Sequence, residues 1–378
     1  MLRTSDLDYD LPPGCIATVP AEPRDAARML VVPRRNRTLR DARIADLPSH
    51  LRRGDLLVIN TTRVLPARLL GERADTHGRV EGLFLSEEQA RGVAPSPGSG
   101  EVVWRVMLRA RRLHPGVVVR LHDHAARASG VTLTLLDKVD DEPGAWRVRV
   151  QAPDTPDLTA GTLLAQIGRT PLPPYILRAR ATAGQVVDDA FDRARYQTLY
   201  AGEAPGSVAA PTAGLHLTPA VLGALRERGV GVAEVVLHVG TGTFKSVETE
   251  YVEQHPMHAE WCFLGEPTAD AIARTRGSGG RVVCVGTTAA RTVETFAAGG
   301  VRPGSWHATR LLITPGYPWR WTDALLTNFH LPRSTLMAMV GSLLDGGVGR
   351  LKEVYAHALA GGYRFYSYGD AMLVTPEG

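Results

Sequence analysis

The amino-acid sequence predicts an α/β main domain with an inserted antiparallel β-barrel-like domain. Three observations lead there. Apolar runs at Leu56–Ile59, Val230–Val239 and Arg281–Val285 alternate with helical patterns at Ala220–Arg228 and Pro267–Arg276, as expected of strands covered on both faces by helices. From Val64 to about Ala152 the texture changes to short β-rich runs, Arg79–Leu85, Val102–Leu108, Val117–Leu121, Val131–Leu136 and Trp146–Val150. Turn signals at Gly100, Pro115-Gly116, Gly130 and Pro143-Gly144 separate them, a spacing that reads as a small antiparallel sheet or barrel. The length of 378 residues holds two or three domains, or one large domain with an insertion. The expected main domain is 1–62 plus 156–378, with 63–155 inserted.

Composition narrows the class. Hydrophobic residues make up 44% of the chain, and no apolar run approaches the length of a membrane span. Met1–Asp10 is acidic and polar and has no signal-peptide pattern, so the expected location is cytoplasmic. Cys15, Cys262 and Cys284 are far apart and form no CxxC or Cys/His spacing. Neither a disulfide framework, a metal site nor a prosthetic group is expected. The net charge is +4, and the only lysines are Lys138, Lys245 and Lys352. Arginines cluster at Arg24, Arg28, Arg34, Arg35, Arg37, Arg40 and Arg43, and again at Arg105, Arg109, Arg111, Arg112 and Arg120. A solvated basic face and a nucleic-acid face both fit these clusters.

Within this frame, the organising stretch is Ala209–Thr218. Small residues (Ala213, Gly214) let backbone approach a ligand, Thr212 adds a hydroxyl, and His216 is a titratable group at the end of the loop. Thr218-Pro219 then caps the following helix. A tight turn for close packing would use the same residues, so the stretch alone leaves both readings open. Polar residues recur where buried strands end: Asn60-Thr61-Thr62-Arg63, Gly240-Thr241-Gly242-Thr243 and Thr287-Thr288. In open α/β sheets such positions face ligands, and at Asn60–Arg63 a turn in which Asn60 caps its own backbone fits equally well. The glycines do not follow GxGxxG, so a dinucleotide fingerprint does not fit. His258 and Glu260 would share one face of a strand, as a base with its orienting partner or as a surface pair.

The remaining segments are connective or positional. Pro171–Ile176 reads as a rigid extended segment, Gly184–Asp192 as a surface loop, and Gln89–Gly100 as an irregular connection. Asn328, Arg333, Ser334 and Thr335 precede an apolar helix, Leu336–Leu344, whose N-terminus suits an anion or carboxylate. Tyr363–Met372 is aromatic and carries Asp370; packing is the preferred reading over base stacking. Asn60–Arg63, Thr212–His216, His238–Thr243, Thr287-Thr288 and Asn328–Thr335 are expected to converge at one edge of the main sheet.

The sequence closely resembles the S-adenosylmethionine:tRNA ribosyltransferase-isomerase family of queuosine biosynthesis. The resemblance is carried by Arg52–Asn60, Arg63–Leu69, Pro171–Ile176, Tyr196-Gln197-Thr198, Ala209–Thr218, Leu237–Phe244, Met257–Glu260, Gly286-Thr287-Thr288, Thr327–Thr335 and Tyr363–Met372, in family order from end to end. It implies transfer and isomerisation of the ribosyl moiety of S-adenosylmethionine onto 7-aminomethyl-7-deazaguanine in tRNA. The products are epoxyqueuosine-tRNA, adenine and methionine. tRNA and S-adenosylmethionine are the implied partners, the latter as co-substrate, with no metal and no membrane.

Such a reaction requires a base for the C5′ proton that the sulfonium acidifies, and a group that assists adenine departure. It also requires donors for sugar oxygens and an anchor for the amino-acid end. The candidates for the base are His216 and His238. His330 is the acid or donor to adenine, and Glu260 or Asp370 orients an imidazole or the incoming amine. Substrate-binding candidates are Thr212, Ala213, Gly214, Gly240, Thr241, Gly242, Thr243, Thr287, Thr288, Asn328, Ser334 and Thr335. Asn60, Arg63, Arg68 and Arg333 are candidates for phosphate or methionine. The chain departs from the family pattern at Thr61 (usually Asp), Thr170 (Met), Leu217 (Phe), Ser246 (Pro) and Arg310 (Asp). Two alternatives therefore stand beside the main reading: a paralogue acting on a small deazapurine, and a non-catalytic tRNA-binding relative.

Overall fold

A computed structural model describes residues 1–88, 102–140, 142, 144–153, 159–203, 205–240, 242 and 246–376. The Gln89–Gly100 connection lies outside the described residues. Contacts divide the chain into two compact units, Met1–Arg63 with Pro173–Val186 and Arg195–Gly378, and Val64–Leu172 with Val187–Ala194.

The chain opens with strands β1 (Arg28–Pro33) and β2 (Arg40–Arg43), the one-turn helix α1 (Leu47–His50), β3 (Leu56–Asn60) and the short β4 (Arg63–Val64). Next come β5 (Arg68–Arg73), β6 (Arg79–Glu88), β7 (Val102–Arg109), β8 (Val118–His122), β9 (Ala128–Lys138) and β10 (Ala145–Gln151). These six close into an antiparallel barrel in the order β10-β7-β6-β5-β8-β9. Alternation drives the closure: Leu69, Val80, Phe84, Trp104, Val106, Val119, Leu133 and Val148 are buried while their neighbours are not.

Helices α2 (Ala160–Ile167), α3 (Pro174–Thr182) and α4 (Asp189–Arg195) follow, and then the short strand β11 (Pro205–Ser207), α5 (Pro219–Glu227) and β12 (Gly231–Leu237). The chain continues through β13 (Glu260–Leu264), α6 (Glu266–Gly277), β14 (Val282–Val285), α7 (Thr287–Ala297), β15 (Trp306–Thr309) and β16 (Ala324–Asn328). It ends with α8 (Thr335–Ser342), α9 (Gly347–Ala360) and β17 (Ala371–Thr375).

The main sheet has nine strands in the order β15-β13-β12-β3-β14-β16-β17-β1-β2. Its centre, β12, β3, β14 and β16, is parallel, and β13, β15 and β2 run antiparallel at the edges. The continuous apolar run of β3 is explained by burial on both faces. Leu56 and Val58 pack on one side with residues of α7, α8 and α9 such as Val293, Val340 and Leu351. Leu57 and Ile59 pack on the other with Val221, Leu222 and Leu225 of α5.

Several elements differ from expectation. Only the first part of Pro171–Ile176 is extended, because Pro174 starts α3 in the first turn, where a missing N–H leaves no bond unmade. Gly184–Asp192 is not all loop: α4 begins at Asp189. His258 precedes β13, so Glu260 alone of that pair lies in the strand. Strands β2, β5, β15, β16 and β17 and helix α9 are additions. Tyr363, Phe365, Tyr366 and Tyr368 are buried, and Phe329 lies 4.8 Å from Phe365, so this segment is aromatic packing.

Asp55 fixes the start of β3. Its buried carboxylate accepts from the backbone N–H of Arg52 and Arg281 at 2.9 Å each and from Arg281 Nη2 at 2.5 Å. Burial alone would raise its pKa, but the Arg281 side chain and the two backbone donors outweigh it and hold the carboxyl below its usual range. A carboxyl depressed in the folded state stabilises the fold above the ordinary carboxylate pKa, and that contribution is lost as pH falls through the folded value. Asp55→Asn should lower unfolding free energy by roughly 3 kcal/mol at pH 7 in urea titration. The gap to wild type should narrow in acid.

Candidate active site

The carboxyl ends of β14 and β16 open into a cleft. Its walls are the Ala210–Ala213 segment, Gly286–Thr288, Thr327–Leu331 and Ser334, with Tyr175, Tyr366 and Ser367. Gly286 makes the turn from β14 into α7 at φ 85°, where its N–H bonds the Leu326 carbonyl at 2.7 Å. That left-handed conformation favours glycine and delivers Thr287 and Thr288 directly to the helix start. The organising stretch folds into a short 3₁₀ turn, Thr212–His216. A side chain at Gly214 would collide with the Tyr200 hydroxyl, so the small residue is needed there for packing. Thr218 caps α5 as expected, accepting from Val221 N–H at 3.3 Å.

Asn328 is the hub of the cleft. Its Oδ1 accepts from the Thr212 hydroxyl at 2.9 Å, and its Nδ2 lies 3.2 Å from His216 Nε2. With the amide so oriented, His216 accepts through Nε2 and carries its proton on Nδ1. Burial pushes the His216 imidazole down to about 4, against the opposing pull of Asp370. His330 lines the cleft, shares a 2.8 Å hydrogen bond between Nε2 and the Thr327 hydroxyl, and is pushed by burial down to about 3. Both rings are therefore neutral at physiological pH. A neutral His330 can offer a hydrogen bond but is not a store of imidazolium.

Of the sequence-predicted residues, Thr212, Ala213, Thr287, Thr288, Asn328, His330 and Ser334 line this cleft. Gly242, Glu260 and Thr335 line a second cavity beside it. Thr241 and Thr243 lie outside the described residues. His238 sits at neither wall: its Nδ1 is 2.9 Å from the Thr62 hydroxyl, and its ring stacks on Trp306. Burial lowers its pKa.

Glu260 accepts from Gly240 N–H at 2.9 Å and pairs with Arg291. Asp370 is buried and accepts from the backbone of Arg28 at 3.0 Å and of Arg364 at 2.8 Å, which closes the aromatic segment onto β1. Asn60 is fully buried and reaches Thr288 at 3.0 Å. Arg63 donates to the Gly202 carbonyl at 2.6 Å. Arg68 belongs to the barrel, near Glu81. Arg333 is half exposed, 4.0 Å from Asp8.

Sequence reasoning missed Tyr175 and Ser367, which share a 2.5 Å hydrogen bond at the cleft, and the Thr327 partner of His330. Nothing local marks Tyr175, since it reaches the cleft through α3. The arginine clusters separate as well. Arg24 is buried on the Gln197 carbonyl, and Arg28 stacks over Tyr363 and pairs with Asp41. Arg109, Arg111, Arg112 and Arg120 of the barrel unit are exposed.

Residues 4–374 match the family model described as queuosine biosynthesis protein. The chain belongs to this family. Similar relatives include proteins named S-adenosylmethionine:tRNA ribosyltransferase-isomerase. One, from Acidiphilium cryptum, is 45% identical over 99% of each chain. Another, from Caulobacter vibrioides, is 46% identical over 100% of this chain and 99% of that one. Among solved structures, an S-adenosylmethionine tRNA ribosyltransferase from Thermotoga maritima is 29% identical, covering 98% of this chain and 99% of that one, with a TM-score of 0.52. Among the described residues no helix is long and apolar enough to cross a membrane, and no cluster of His, Cys, Asp or Glu is disposed to hold a metal ion.

The buried histidines make stability depend on pH. Unfolded histidine takes a proton near its ordinary pKa of about 6.5, whereas folded His216 resists until about 4. Stability is then complete above that unfolded value and falls with acidification between the two, by about 1.4 kcal/mol per pH unit for each such ring. Urea unfolding at pH 7.5 and 5 should show this loss in wild type and a smaller one in His216→Gln.

Proposed function

We propose that this chain is an S-adenosylmethionine:tRNA ribosyltransferase-isomerase of the cytoplasm. It transfers and isomerises the ribosyl moiety of S-adenosylmethionine onto 7-aminomethyl-7-deazaguanine in tRNA, releasing adenine and methionine. The observation that carries the reading is a neutral, hydroxyl-rich cleft at the carboxyl ends of the sheet, in a chain that aligns over nearly its whole length with relatives of that name.

The co-substrate is a sulfonium, so it brings its own positive charge. His330, at the cleft wall and kept neutral by burial, avoids repelling it. Thr212, Asn328, Thr287 and Thr288 supply donors and acceptors for the sugar oxygens, and His330 donates to the departing adenine. A base takes the acidified C5′ proton, and the resulting carbanion bonds to C1′ as the bond to adenine breaks. The aminomethyl nitrogen then attacks C1′ and breaks its bond to the ring oxygen, and that oxygen closes the epoxide on C5′ as the C–S bond breaks and methionine leaves. His216 acts through Asn328 as a positioning residue, since it stands one hydrogen bond behind the cleft wall. The exposed arginines of the barrel unit are suited to tRNA phosphates.

Adenine release from S-adenosylmethionine tests this reading. Release should require tRNA carrying the aminomethyl-deazaguanine, and Asn328→Ala should lower kcat/KM roughly 10- to 100-fold through lost orientation. Release with a free deazapurine amine in place of tRNA would point to the small-acceptor paralogue. No release with either would overturn the reading.

A further inference from the structure

Arg291 is a buried cation beside a cavity that the fold alone does not need. It sits on α7 one turn beyond Thr287 and Thr288, on the face they share. Its side chain is 8% exposed. Nε donates to the Leu311 carbonyl at 3.2 Å, and Nη1 pairs with Glu260. Nη2 is buried and has no partner among the described residues. An unpaired guanidinium N–H in the interior is costly, and in a native structure it calls for an explanation.

The cavity beside it supplies one. Arg291, Glu260, Thr335, His255 and His258 are the polar points in a wall otherwise made largely by Met257, Leu311, Leu312, Ile313 and Met339. Leu336 lines both this cavity and the hydroxyl-rich cleft, while Ser334 faces the cleft and Thr335 the cavity. The two spaces thus share one wall, the start of α8.

We propose that this cavity holds the amino-acid end of S-adenosylmethionine, and afterwards free methionine, with Arg291 as the anchor of the α-carboxylate. The inference rests on the function proposed above. The carboxylate supplies the acceptor that Nη2 lacks, in the charge-assisted geometry guanidinium groups favour. Glu260, at the same wall, carries the charge that suits the α-ammonium. The Met and Leu side chains accept the methylene chain. A zwitterion brings both charges at once, so the buried Arg291–Glu260 pair stays balanced with the site filled or empty.

Calorimetric binding of S-adenosylmethionine and of 5′-methylthioadenosine, which lacks the amino-acid end, tests the proposal without requiring turnover. Wild type should prefer S-adenosylmethionine. The double variant Arg291→Met/Glu260→Gln removes both charges and so leaves no lone buried ion. It should bind methylthioadenosine as wild type does while S-adenosylmethionine weakens roughly 10- to 100-fold. Methionine should likewise lose its hold on the variant. Arg291→Lys, which keeps the charge beside Glu260, should recover part of the preference. An unchanged ratio of the two affinities in the double variant would overturn the assignment of this cavity. Wild-type protein that bound neither compound would overturn the parent reading, and this one with it.

Discussion

The carboxyl end of the main sheet depends on one buried amide, Asn60. Its Oδ1 accepts from the backbone N–H of Leu237 and Thr62 at 3.1 Å each, and its Nδ2 donates to the Leu237 carbonyl at 3.1 Å and the Thr288 hydroxyl at 3.0 Å. Those four bonds satisfy an amide that is wholly removed from water. They join the end of β3 to the end of β12 just where the ladder between them stops, and they orient the first turn of α7. Replacing Asn60 with an apolar residue would leave Leu237 and Thr288 unpaired, so one side chain holds a strand end, a loop and a cleft hydroxyl in register.

From that anchoring follows the chemistry of the cleft. Burial lowers the pKa of His216 and His330 and keeps both imidazoles neutral. The same burial that makes His330 a poor acid makes it a compatible neighbour for a sulfonium. Asn328 repeats the device one layer further in, holding Thr212 on one side and His216 on the other. The polar groups are therefore arranged in chains, each fixed by the one behind it.

Legibility from sequence followed the range of the forces involved. Strands buried on both faces and the barrel were readable because period and apolar content are local properties. Helix α4 was hidden by the polar Gly184–Asp192 composition, and α3 by three prolines that disguise a helix start at Pro174. Edge strand β2 has little apolar content, and β17 is masked by the aromatic residues before it. At the site, residues on strand ends (Asn60, Thr287, Asn328) were visible as polar groups after apolar runs. Tyr175, Ser367 and the Arg291 subsite were not, since their meaning comes from neighbours distant in sequence.

The departures from the family pattern acquire a physical reading from their places. Thr61 is buried, and its hydroxyl donates to the Val235 carbonyl at 3.3 Å, so it completes the junction of β3 and β12. An aspartate there would add a charge, not a partner that the ladder lacks. Leu217 is fully buried in the core beneath α5, where it fills volume as a phenylalanine would. Ser246 and Arg310 are exposed, and Thr170 belongs to the barrel unit. None of the five lines the cleft or the cavity beside it. The cleft walls keep residues that carry the resemblance, among them Ala210–Ala213, Gly286–Thr288 and Thr327–Leu331. The substitutions sit instead where strands join, where the core is filled and where solvent is near.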